Sequence, residues 1–232
     1  MRRAYDLPRC ALRCIRYYVT IGAVVFAVLV LTGTLESANA AELRIPEASA
    51  RYRIAVNRAA GDAFGIDASP ARLAAQIHQE SGWRPGAQSA YAVGLAQFTP
   101  ATAKWLPAVC PQLGAFDPWD AGQAVRGAAC YDAWLYQQTR ALGVGTTISP
   151  CARWVFTLRG YNGGLGWINR ERRAAATSGD DPNDWADVER HKLRAAWAHR
   201  ENIDYPRRIL MRLEHGYVSA GWAGDPVCEA LP

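Results

Sequence analysis

Apolar positions along this chain recur with the period of a helix. Leu73, Ile77 and Glu80 are separated by +4 and +3, and Ile209, Leu213 and Tyr217 by +4, so each set lies along one side of a helix. No segment sustains the apolar–polar alternation of a half-buried strand, which predicts few or no short strands. Helix starts are announced at Ser69-Pro70, Thr99-Pro100, Asp117-Pro118 and Ser149-Pro150. Each pairs an oxygen able to accept from the first free backbone N–H groups with a proline already fixed near helical φ. The spacing predicts helices over 71–81 (stopped by Gly82), 121–142 (closed by Gly143), 151 to about 159, and 205–220. The fold class is mainly α.

Glu80 breaks that pattern in an informative way, because it puts a carboxyl group on the apolar stripe of its helix, just before Ser81-Gly82-Trp83. Desolvation by apolar neighbours, an indole if Trp83 folds back, and the negative end of the helix dipole all favour the protonated form. A carboxylic acid held protonated near neutral pH can protonate the leaving oxygen of a glycosidic bond. A solvated helix end, or pairing with Arg84, is the plainer alternative for the same residue.

Three separated motifs carry a family resemblance: Glu80-Ser81-Gly82-Trp83 with Pro85, Ala87 and Ser89; Gly94-Leu95-Ala96-Gln97-Phe98-Thr99-Pro100 with Thr102-Ala103; and Tyr161-Asn162-Gly163-Gly164. Glu201-Asn202-Ile203-Asp204-Tyr205 adds a weaker match. Over roughly 70–213 the chain resembles the lytic transglycosylases whose catalytic domain is similar to goose-type lysozyme. The resemblance implies a lysozyme-like helical domain with a substrate groove and no cofactor. It implies Glu80 as general acid and then base, cutting the MurNAc–GlcNAc β-1,4 bond of peptidoglycan with formation of 1,6-anhydroMurNAc. Ser81 would orient Glu80, or cap the helix end. Ser89, Gln97, Tyr161, Asn162 and Tyr205 would line the substrate site; for Gln97 and Asn162 a purely local role in a loop or turn stays open, as does a core position for Tyr205.

The chain departs from the family pattern where Ser89 to Gly94 is one residue short, with Tyr91 near an expected glycine, where Ala96 replaces a methionine, and where Pro206 follows Tyr205. No second carboxylate is singled out by context; Glu171, Glu201 and Asp204 remain candidates, and the implied one-carboxylate mechanism needs none. A lysozyme-type hydrolase on the same fold and a non-catalytic wall-binding or assembly protein are the alternatives.

The first forty residues read as an export segment: five arginines, an apolar run from Tyr17 to about Leu31, then Ala38-Asn39-Ala40 as a cleavage site, with retention as a membrane anchor the alternative. The expected location is the periplasm or cell envelope. The formal charge of +5 falls to +2 without that segment, 21 basic against 19 acidic side chains. Nothing in that balance suggests a nucleic-acid partner. Cys110, Cys130, Cys151 and Cys228 are an even set suited to two disulfides in an oxidising compartment, their pairing open among three connectivities, and no spacing supports a metal. Residues 41–66 read as a lead-in and 67–232 as one domain, expected to be monomeric. The setting stays open among wall remodelling, secretion or conjugation machinery and phage entry or lysis.

Overall fold

The computed structural model describes residues 43–231, and from Arg44 onward these form one unit of packed helices. The export segment and its cysteines lie outside the described residues. Among the described residues there is no regular strand, only the isolated bridges Gln88–Val93 and Val93–Phe98, and no helix is long and apolar enough to cross a membrane.

At the centre lies α2 (Pro70–Ser81), buried from Pro70 to Ile77. Its start is as predicted: Ser69 Oγ accepts from the Arg72 N–H at 3.2 Å, and Pro70 occupies the first turn. Its end is set by Gly82 in the left-handed region at φ 57°, whose N–H donates to the His78 carbonyl. Around it pack α1 (Arg53–Phe64), α4 (Ala121–Gln138) and the C-terminal Ile209–Leu213 π-helical turn leading into Glu214–Ser219. Thr99 and Ser149 likewise cap α3 (Pro100–Trp105) and α5 (Pro150–Gly163). α6 (Leu165–Ser178), α7 (Trp185–Glu189) and α8 (Ala196–Arg208) complete the unit up to the π turn. Phe156, Ile168, Ala175 and Val188 form a second apolar cluster where α5, α6 and α7 meet.

Several sequence expectations are corrected. Within the stretch read as a lead-in, α1 buries Val56, Ala59 and Ala60 against α4, and Tyr52 just before it stacks on Trp83 with ring centroids 5.6 Å apart. Small residues hide this helix from a stripe count, because alanines allow close packing without a strong apolar signal. The cap of α4 is Asp120, three residues later than expected, while Asp117 closes the turn before it. α4 stops at Gln138, where the Thr139 hydroxyl bonds back to the Leu135 carbonyl at 3.1 Å. The last helix begins at Ala196, not Tyr205, and Pro206 sits inside it; a helix tolerates the missing donor where the ladder changes pitch, here just ahead of the π turn. The cysteines pair 110–130 and 151–228.

Candidate active site

Glu80 ends α2 beside a groove of about 420 Å³, shared with Gln97, Tyr161, Asn162, Glu201 and Tyr205. Ser89, Tyr91, Thr99 and Thr102 add to its lining, which among the described residues includes no lysine or arginine. The three motifs therefore meet in space: α2 supplies the carboxyl group, the loop before α3 one wall, and the end of α5 another. A second hollow of about 550 Å³ lies between α1 and α4 beside the Cys110–Cys130 disulfide, away from Glu80.

Tyr205 Oη donates to Glu80 Oε1. Burial pushes the Glu80 carboxyl from 4.5 up to about 8; the Tyr205 hydrogen bond opposes that rise and the charge of Glu201 adds to it. The phenols of Tyr161 and Tyr205 are pushed well above their ordinary range, again chiefly by burial, so both stay protonated donors. Tyr161 Oη donates to the Ala96 carbonyl at 2.8 Å and so ties α5 to the opposite wall.

That wall is held by unusual backbone. Gln97 adopts φ 48°, sparsely populated for a residue with a Cβ, and its Nε2 donates to the carbonyls of Gly94 (2.9 Å) and Ala87 (3.1 Å). The side chain ties the loop together while also lining the groove. Gly94, at φ 78°, lies so close to the Pro118 carbonyl that a Cβ would overlap it. Ser89 Oγ accepts from the N–H groups of Tyr91 and Ala92, and the shortened loop turns on it, leaving Tyr91 at the rim, 80% exposed.

Ser81, Trp83 and the Tyr161–Asn162 pair take definite places. Ser81 is buried and its hydroxyl donates one turn back to the Ile77 carbonyl at 3.2 Å, not toward Glu80. Trp83 does not supply an indole wall for the acid. It is 2% exposed, packs among Tyr52, Tyr217 and Trp222, and donates to Tyr217 Oη at 2.5 Å. Tyr161 and Asn162 fall in the last turn of α5 instead of in a free turn. Of the other carboxylate candidates, Glu171 is buried in ion pairs with Arg159 and Arg194, and Glu201 lines the groove.

Asp132 went unnoticed in the sequence. It is 2% exposed and accepts from Gln76 Nε2 at 3.3 Å, and Gln76 precedes Glu80 by one helical turn. Burial first, and the charge of Glu80 in addition, push its carboxyl well above the ordinary range. A signal existed: Val125, Ala128, Ala129 and Leu135 place Asp132 on the buried stripe of α4, the same reasoning that picks out Glu80.

Residues 56–183, more than half the chain, match the family model described as transglycosylase SLT domain. The chain belongs to this family. The matched SLT region holds Glu80, Gln97, Tyr161 and Asn162, while Tyr205 lies beyond it. The chain is similar to the membrane-bound lytic murein transglycosylase F of Shewanella frigidimarina, 36% identical over 120 residues, 51% of this chain and 23% of the relative. It is also similar to the protein of that name from Ectopseudomonas mendocina, 31% identical over 181 residues, 74% of this chain and 34% of the relative. The Pasteurella multocida protein matches at 34% over 120 residues. The chain thus spans about a quarter to a third of the length of these relatives.

Proposed function

We propose that this SLT domain protein is a peptidoglycan lytic transglycosylase of the cell envelope, with Glu80 as general acid and then general base. The observation that carries the reading is a carboxyl group pushed up to about 8 at the edge of a groove whose lining, among the described residues, holds no lysine or arginine. Such a group holds a proton at neutral pH and can deliver it to the bridging oxygen of the glycan. The family relationship and the name shared by the relatives, lytic murein transglycosylase, support the substrate class.

The proton balance follows from one residue. Glu80 gives its proton to the departing GlcNAc oxygen as the MurNAc C1–O bond breaks, and becomes a carboxylate that the Tyr205 O–H stabilises. That carboxylate then takes the proton of the MurNAc C6 hydroxyl as its oxygen bonds C1, which closes the 1,6-anhydro ring and restores the acid. No water is consumed. Gln97 and Asn162 would contact the sugars, while Tyr161 holds the two walls at fixed separation.

A hydrolase reading is favoured by one observation, that Glu201 also lines the groove and can serve as a second carboxylate for an attacking water. Mass spectrometry of muropeptides released from purified wall separates the two. Anhydro products, lighter by one water than reducing-end products and absent with Glu80→Gln, are expected. Reducing-end products would assign the hydrolase, and glycan binding without any product would assign a non-catalytic wall-binding role.

A further inference from the structure

Behind the end of α5 lies a buried polar relay that reaches the Asn162 amide. Its anchor is Glu171, fully buried, which accepts from Arg159 Nη2 at 2.5 Å and from Arg194 Nε at 3.0 Å. Arg159, also fully buried, is thereby fixed and presents its Nε–H to Asn202 Oδ1 at 3.0 Å. The other end of the Asn202 amide, Nδ2, donates to the Arg159 carbonyl at 2.8 Å.

These two contacts settle the orientation of Asn202 by chemistry. A guanidinium N–H can only donate and a backbone carbonyl can only accept, so the Asn202 amide has one arrangement that satisfies both. Its Nδ2 carries a second hydrogen, and this reaches Asn162 Oδ1 at 3.2 Å. Asn162 must therefore turn its oxygen inward, because a flipped amide would set N–H against N–H. What remains for the groove is the Asn162 Nδ2 group, a donor. Gly163 makes the approach feasible, since a Cβ there would run into Asn202 Nδ2 and Arg194 Nη1.

We infer that Asn202, which never touches substrate, is a positioning residue that fixes the Asn162 amide with its N–H₂ toward the groove, so that this point of the site selects a hydrogen-bond acceptor, the carbonyl oxygen of a sugar N-acetyl group, over the free ammonium of a de-N-acetylated sugar. The inference rests on the reading of the groove as a glycan site. Donor set against donor is the cost that rejects the ammonium, and a site built to bond a polar group discriminates strongly against a partner of the wrong polarity. In native peptidoglycan both sugars carry the acetyl group, and its removal leaves an amine at the same carbon.

The test uses Asn202→Asp. The carboxylate still accepts from Arg159 but cannot donate to Asn162, so the Asn162 amide turns round and presents its oxygen to the groove. Initial rates of muropeptide release are measured against concentration for native wall and for wall whose N-acetyl groups have been removed. The wild type should favour acetylated wall through KM. Asn202→Asp should lose roughly tenfold of that preference through KM, with kcat on acetylated wall changed far less. An unchanged preference would overturn the inference.

Should Asn202→Asp not fold, Asn162→Ala removes the exposed amide itself and must abolish the preference while leaving thermal unfolding intact; retention of the preference would refute the assignment. A readout independent of turnover separates this inference from the proposed reaction. In the wild type, the NMR signal of the Asn162 side-chain N–H₂ should shift with N-acetylglucosamine oligomers and not with glucosamine oligomers. Equal response to both would sink the inference even in an active enzyme, and the selective shift would uphold it even if no anhydro product formed.

Discussion

Replacing the acid with its neutral isostere should make the folded protein more stable, by an amount that grows with pH. In the folded state burial carries the Glu80 carboxyl from 4.5 to about 8, so the folded state binds the proton more tightly than the unfolded chain. The stabilisation from that bound proton is complete below about pH 4.5 and is lost as pH rises through about 8. At about 1.36 kcal/mol per pH unit the full window amounts to about 4–5 kcal/mol, and screening at the groove edge reduces it to roughly 3 kcal/mol. Glu80→Gln keeps the volume and an oxygen to accept from Tyr205, but never ionises. Thermal unfolding of both proteins from pH 4.5 to 9 should give nearly equal Tm values at the acid end. At the alkaline end the Glu80→Gln variant should unfold roughly 6–12 °C higher than the wild type, taking about 2–4 °C per kcal/mol for a domain of this size. Groups that do not interact with Glu80 titrate in both proteins and cancel in the difference. Parallel curves, or a wild type more stable at pH 8, would refute the claim that Glu80 is desolvated and protonated.

Further outcomes follow from single contacts. Tyr205→Phe removes the donor that favours the carboxylate form, so the alkaline limit of activity should move above that of the wild type while the rate near neutrality falls roughly tenfold; a limit shifted downward in the pH–rate profile would contradict the hydrogen bond's role. Opening the 151–228 disulfide by paired Cys→Ser changes should cost about 4 kcal/mol in urea unfolding, against about 3 kcal/mol for 110–130, because the separations closed are 77 and 20 residues. The reverse ranking would show that strain, not loop entropy, governs these bridges. Gly94→Ala combines a φ of 78° with overlap on the Pro118 carbonyl and should cost more than about 2 kcal/mol by thermal unfolding; a neutral change would mean the loop can move aside freely.

How much of this was legible in the residues depends on the distance over which each feature acts. Ser69, Thr99 and Ser149 cap their helices as expected because an N-cap is decided within one turn of chain. Glu80 stood out because a carboxyl group on an apolar stripe is visible in the spacing alone. The alanine-rich α1 was obscured by its weak periodicity, and the early start of α8 by Pro206, whose effect on a helix depends on what packs beside it. Asp132 carried the same kind of signal as Glu80, but without a motif around it.

Alone, the sequence determined the fold class, the family resemblance and the carboxyl group on the apolar side of α2, since these depend on local periodicity, capping and motif order. Tertiary structure decided the rest. It chose one cysteine pairing among three, set Tyr205 against a carboxylate 125 residues away, turned Trp83 into the core, and brought Asn202 behind Asn162. Each of these is a contact between segments far apart in the chain, and such contacts exist only once burial of the helices' apolar faces has fixed where every helix lies.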